Sequence, residues 1–293
     1  MELILDPLQY DIFLRSLLAV VMVGSVCALV GTFVVLRGLA FIGDAVSHAA
    51  FPGVVVAYLV GAPYYIGAAV AAVATSLAIS FVTRRAQLRA DTTIGVLFAG
   101  MFSLGIFLYS TIEGYVGDLF AFLVGNVLAI SGADLIGLSV LGLGLLITIG
   151  ILWKELLYAT FDPLGAAASG LPVERLEYLF LALVALAIVV SLQAVGIVLV
   201  VAMLVTPPAA AQLLTVRFGR LVALAISIAI AASVLGLYLS FWLDVASGAT
   251  IVLVQTAVFL VALVAGPRGG ILARRRPRLQ VPSAPNGPLQ VSG

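Results

Sequence analysis

The chain has 293 residues, of which 63% are hydrophobic and 9% charged, and its formal net charge is +1. Soluble domains carry about 45–50% apolar and 25% charged residues, so this composition excludes a soluble globular protein and indicates a polytopic membrane protein. A charge so close to zero gives no global field to suggest nucleic acid or another polyanion as partner.

The N-terminus, Met1-Glu2-Leu3-Ile4-Leu5-Asp6, lacks the basic region and cleavage site of a secretory signal. The first spanning helix is therefore expected to direct insertion. A helix needs about 20 mainly apolar residues to cross a ~30 Å hydrocarbon core. By that measure spans fall near 12–36, 39–60, 64–83, 92–112, 134–153, 176–195, 197–216, 220–242 and 249–266. The expected fold is an all-α membrane protein of about nine transmembrane helices, eight to ten being compatible with the weak boundaries at 195–197 and 113–132. Residues 1–266 form one transmembrane domain. Residues 267–293, basic and then rich in Pro, Gly and Ser, read as a disordered cytoplasmic tail.

With nine spans, Arg37, Arg84, Arg85, Arg89, Lys154, Arg175, Arg217, Arg220, Arg268, Arg274, Arg275, Arg276 and Arg278 all fall on one side. Cytoplasmic loops carry the excess of Lys and Arg, so the N-terminus is expected outside and the C-terminus inside. Arg15 is the one basic residue that departs from the pattern. Arg274–Arg276 and Arg278 also read as a cluster for anionic lipid. Tyr64, Tyr65, Tyr109, Tyr115, Tyr238 and Trp242 sit at span ends, where amphipathic rings prefer the interface. Glycines such as Gly24, Gly31, Gly100 and Gly105 are spaced for close helix contact. Cys27 and Met203, each alone in an apolar helix, read as core.

Asp44 and His48 lie four residues apart in the second span, and His48 is the only histidine. On a helix these positions share a face, so a carboxylate and an imidazole stand side by side. An aspartate at the centre of a membrane helix costs about 2.5–3.5 kcal/mol on insertion scales. Two readings follow from the residues alone: contact with a divalent metal, or an internal Asp–His hydrogen bond. His48 lies eleven residues beyond Arg37, about 16 Å along a continuous helix, which would place the pair near the midplane. Glu113, Asp118 and Asp134 read as solvated outer charges or a funnel for cations. Pro207 and Pro208 remove backbone donors inside the seventh span, predicting a kink that frees carbonyls either for packing or for a pathway.

The longest inner loop predicts a short helix over 161–170. Asp162 serves as N-cap, Pro163 as the first helical residue and Gly170 as the glycine past its end, with Pro172 preventing continuation.

Gly31-Thr32-Phe33-Val34-Val35-Leu36-Arg37, followed by Gly43-Asp44-Ala45-Val46-Ser47-His48-Ala49 and Pro52-Gly53, resembles the membrane permease of ATP-binding-cassette importers for manganese, zinc and iron. Phe161-Asp162 with Ala166 and Gly170, and Gly196 through Pro207-Pro208 and Ala211, are similar to two further motifs of that family. The resemblance covers Gly31 to Gly266. It implies a compact importer permease related to the cobalamin permeases, a homodimer, two ATPase subunits and an extracytoplasmic metal-binding protein, in the cell's inner membrane. It further implies that Asp44 and His48 contact the transported metal, and that Phe161, Asp162, Ala166 and Gly170 couple to the ATPase. Ala45 and Pro52 look like the manganese or iron branch. No Walker A pattern occurs in the chain, in keeping with no resident cofactor and ATP hydrolysis on a partner. The competing function is a proton-coupled secondary metal transporter, since Asp44 and His48 are also suited to relaying protons. An intramembrane zinc protease is excluded by the lack of His-Glu-x-x-His.

Overall fold

The computed structural model describes residues 6–112 and 127–266. Eleven α-helices and no strands occur among them: α1 Asp11–Leu36, α2 Ile42–Val60, α3 Tyr64–Ala86, α4 Ala90–Tyr109, α5 Gly132–Ile151, α6 Trp153–Phe161, α7 Pro163–Ala168, α8 Val173–Val195, α9 Ile197–Leu214, α10 Phe218–Leu243 and α11 Ser247–Ala265. Nine of these, all but α6 and α7, are long and apolar enough to cross a membrane. That agrees with the expected count and, within a few residues, with the expected limits. Glu113, Asp118, Tyr115, most of the weak segment 113–132, the Arg274–Arg278 cluster and the tail fall outside the described residues.

Helices α1 and α8 form the centre. Around α1 lie α5, α8, α9 and α10; around α8 lie α1, α3 and α5. One flank is the group α2, α3 and α4, and the other is α9, α10 and α11. Burial follows this plan. α1 and α8 bury most of their length, while α4, α5 and α11 turn most of theirs outward. The core runs through Phe33, Phe51, Phe180, Ile188, Leu199 and Met203, all fully enclosed. Cys27 is also buried there, 3.5 Å from Ser191 Oγ, as a packing residue.

Small residues set the closest crossings. A Cβ added at Gly53 would overlap the carbonyl oxygen of Gly67, and one at Gly67 the carbonyl of Gly53. This reciprocal contact pins α2 to α3, and only two glycines permit it. Prolines 207 and 208 do not unwind α9, which stays helical from Ile197 to Leu214. Pro208 has no N–H for the carbonyl of Leu204, and that carbonyl rests on Gly31 of α1. The structure thus uses this freed carbonyl in a helix crossing.

Two sequence expectations need correction. The chain between Arg37 and His48 is not one helix: α1 ends at Leu36 and α2 begins at Ile42. Gly38 at φ +70° closes α1, with Leu39 N–H donating to Val34 O and Gly38 N–H to Val35 O, a Schellman ending that a glycine allows. His48 therefore lies six residues into α2, about 9 Å along its axis, and the 16 Å estimate from Arg37 fails. The short helix expected over 161–170 forms as α7, capped by Asp162 and closed at Gly170 as expected, but Phe161 lies outside it. Asp162, with φ −142° and ψ 78°, breaks the chain so that Phe161 ends α6 while α7 covers six residues only.

Candidate functional site

Asp44 sits in the first turn of α2, where the unpaired N–H groups of a helix start favour a negative charge. One turn on, His48 Nδ1 is 3.0 Å from the Asp44 backbone carbonyl and 3.4 Å from Asp44 Oδ1. Both neighbours are acceptors, so Nδ1 carries the proton and donates to the carbonyl. Nε2 then keeps its lone pair. Metal-ligating histidines are oriented in this way, by donating the other ring N–H to a carbonyl or carboxylate. The side chains are 24% and 48% exposed for His48 and Asp44, so the pair opens to the surface of the chain. Both readings of the residues are visible: the internal contact exists, and it leaves a nitrogen and a carboxylate free to bind an ion.

Neighbouring residues frame the pair. Ser47 is buried and its hydroxyl donates to Gly43 O at 2.7 Å, so it serves helix packing. Leu204 Cδ2 would stand 2.9 Å from a Cβ at Gly43, which places α9 directly behind Asp44. The imidazole meets Phe98 and Phe102 of α4, each with ring centroids 5.2 Å away and planes at 88°. Sequence reasoning missed these two phenylalanines, because nothing in an apolar helix marks which face meets a neighbour. Among the described residues no three His, Cys, Asp or Glu side chains come together. One chain thus offers two ligands, short of the four to six that a transition metal takes.

The second candidate region is α6–α7. Asp162 Oδ1 accepts from Gly165 N–H at 2.8 Å, and Pro163 takes the first helical position, as the Asp-Pro pair predicts. Gly170 adopts φ +87°, and Leu171 N–H donates to Ala166 O, closing the helix in a Schellman turn that a side chain at Gly170 would strain. Ala166 is fully buried beneath α7. Phe161 and Leu164 point outward, 61% and 84% exposed. Leu164 was not singled out from the sequence, and it is the most exposed large apolar side chain of the loop. Beside it a cavity of about 490 Å³ is lined by Pro163, Leu164, Ala167 and Glu174, with Arg84 at its edge.

Arg37, read from the sequence as a cytoplasmic charge, is mostly buried at the base of this region. Its Cζ lies 4.2 Å over the Phe180 ring and Nε donates to Thr160 Oγ1 of α6 at 3.0 Å. Burial pushes its pKa down to about 10, so it remains charged at neutral pH. Nearby, Arg84 of α3 pairs with Glu177 of α8, and Ser80 Oγ donates to the same carboxylate at 3.1 Å. Asp134, a candidate for an outer funnel, is instead engaged in capping α5: its Oδ2 accepts from Ser131 N–H, and Ser131 Oγ accepts from Asp134 N–H. Pro207 and Pro208 are buried within the α9 packing.

Among the described residues, nine helices long and apolar enough to cross a membrane, one of them bearing a half-exposed acid–imidazole pair, define a polytopic membrane protein. Comparison with known proteins specifies the class further. The profile of the ABC 3 transport family matches residues 9–266, and the chain belongs to that family. It is similar to the manganese transport system membrane protein MntC of Halalkalibacterium halodurans, with 45% identity over 91% of each chain. It is also similar to the chelated iron transport system membrane protein YfeC of Yersinia pestis, with 40% identity over 96% of this chain and 95% of that one. The solved structure of PsaBC from Streptococcus pneumoniae in complex with Fab superposes with a TM-score of 0.80 at 35% identity. That match covers 91% of this chain and 96% of the other.

Proposed function

We propose that this chain is the transmembrane subunit of an ATP-driven importer of divalent transition-metal ions, manganese foremost, with iron and zinc as related cargo. The observation that carries the reading is the Asp44–His48 pair, with Nδ1 held by a backbone carbonyl and Nε2 left for an ion, in a chain similar throughout its length to manganese and iron permeases. Carboxylate and imidazole suit manganese, iron and zinc. Two ligands per chain make half a site, which a second copy across a dimer axis would complete. Incomplete ligation also suits a pathway, which must release what it binds.

The remaining parts follow from the same reading. Phe161 and Leu164 form the surface that meets an ATPase subunit, and Asp162, Ala166 and Gly170 shape the short helix that presents it. Two such subunits hydrolyse ATP on the cytoplasmic side, and an extracytoplasmic binding protein delivers the metal. The permease lies in the inner membrane with its N-terminus outside and its C-terminus in the cytoplasm. The basic side set by Arg84, Arg85, Lys154 and Arg217 supports that orientation. Pro207 and Pro208 shape the α9 wall behind Gly43 and Asp44.

The test is radiolabelled metal uptake by the assembled complex in vesicles, competed among manganese, iron and zinc. Asp44→Ala and His48→Ala are each expected to abolish uptake while the permease still co-purifies with the ATPase. Normal uptake by both variants would remove the metal role of the pair. Uptake that persists without ATP and tracks a proton gradient would favour the proton-coupled transporter instead.

A further inference from the structure

Helix α4 meets α2 along a stripe of Phe98, Phe102, Gly105 and Tyr109, at spacings of three or four residues. At its far end the stripe is anchored tightly. A Cβ at Gly105 would lie 2.6 Å from Phe51 Cδ1 and 3.1 Å from Pro52 Cδ. Phe51 also sits 6.3 Å from the Phe102 ring and 6.1 Å from that of Tyr109. The opposite face of α4 is open, with Val96, Leu104, Ile106 and Phe107 largely exposed.

Phe51 and Gly105 therefore fix where Phe98 and Phe102 stand. Those two rings are parallel within 5° at 6.0 Å, and both are perpendicular to the imidazole of His48. Edge-to-face contacts of this kind are favourable beyond the area they bury. The imidazole is thus held by three contacts: one hydrogen bond from Nδ1 and two aromatic rings. Its χ2 angle, broad for a free histidine, is confined before any ion arrives.

We propose that Phe98 and Phe102 are positioning residues of the metal pathway, an apolar wall that fixes the His48 ring and closes one side of the ion's position. Neither ring has a donor atom, so α4 supplies no ligand from those positions. An ion on Nε2 completes its shell from Asp44, water or a second copy on the open side. Ordering the ligand in advance reduces what binding must spend on ordering it. This rests on the metal reading of His48, and the experiment below separates the two.

His48 is the only histidine, so ¹⁵N-histidine labelling of the full permease, made without a polyhistidine tag and placed in lipid with unlabelled partners, gives one imidazole to observe. The wild type is expected to show a protonated Nδ1, an unprotonated Nε2 and ring protons shifted by the two neighbouring aromatics, all without metal. Phe98→Leu with Phe102→Leu removes the ring-current shift and broadens the signal, whereas the Phe→Tyr pair retains it. In manganese uptake the Leu pair raises KM about tenfold, the scale of losing about 1.4 kcal/mol of aromatic contact, with Vmax changed less than about twofold. The Tyr pair restores KM. An unchanged His48 signal in the Leu pair would overturn the wall, and a changed signal with unaltered KM would overturn its link to transport. Normal uptake by His48→Ala is a different failure, since it would remove the metal reading and leave the ring geometry standing.

Discussion

Replacing Gly31 by alanine tests the crossing that holds α9 behind the acid–imidazole pair. The new Cβ would overlap the carbonyl oxygen of Leu204 and lie 2.7 Å from its carbonyl carbon, where ordinary contact begins at 3.4 Å. The two helices must therefore move apart to relieve the overlap with the oxygen, and neither has slack. Val30, Phe33 and Val34 around Gly31 are fully buried, as is Leu204. Overpacking of this kind costs about 1–3 kcal/mol, partly offset by up to about 1 kcal/mol because alanine favours a helix more than glycine does. Cys27 is the only cysteine and is buried, so a thiol-reactive dye reports unfolding directly. The expected melt is about 3–10 °C below wild type, scaling from soluble domains. Gly100→Ala, with nothing within 4 Å of the added carbon, serves as control and should melt no lower than wild type. Leu204 also touches the Gly43 position, so metal uptake by Gly31→Ala should fall even where the protein remains folded. A Gly31→Ala permease that melts with the wild type would refute the assignment of the Leu204 carbonyl to this contact.

Leu164→Asp places a charge on a side chain that is 84% exposed. The melt should stay unchanged while co-purification with the ATPase drops at least about tenfold, the scale of losing one apolar hot-spot contact of about 1.4 kcal/mol or more; full retention would exclude Leu164 from the docking surface. Glu177→Gln removes the partner of Arg84, but both side chains are about one-third exposed, so water screens the pair and the stability loss should stay below about 1 kcal/mol. A larger loss in the same dye assay would mean that Glu177 also supports the buried guanidinium of Arg37.

Local signals account for what was legible along the chain. Asp162, Pro163 and Gly170 specify the cap and the exit of α7 because those residue types have few other conformations to offer, whereas Phe161 ends the preceding helix α6. The i,i+4 spacing of Asp44 and His48 required only that α2 be helical. The depth estimate failed because it ran a continuous helix through the break that the span limits place after residue 36, and α2 starts only at Ile42. The sequence places Arg37 on the basic side but cannot show that Phe180, far along the chain, lies beneath it.

The sequence by itself indicated about nine spans, which nine helices among the described residues match, with the basic residues expected on one side and an acid and an imidazole on one face of the second span. Hydrophobic length, charge asymmetry and helical period are properties of a segment and its solvent, so they need no partner to be read. Only the tertiary structure decided that Phe98 and Phe102 hold the imidazole, that the Leu204 carbonyl lies on Gly31, and that Leu164 rather than Ala166 faces outward. In a soluble protein the apolar face of a helix announces where its neighbour lies. Here lipid-facing and core-facing sides are equally apolar, so which face meets which helix is settled by shape, at the few places where glycine, proline and aromatic rings let two backbones meet.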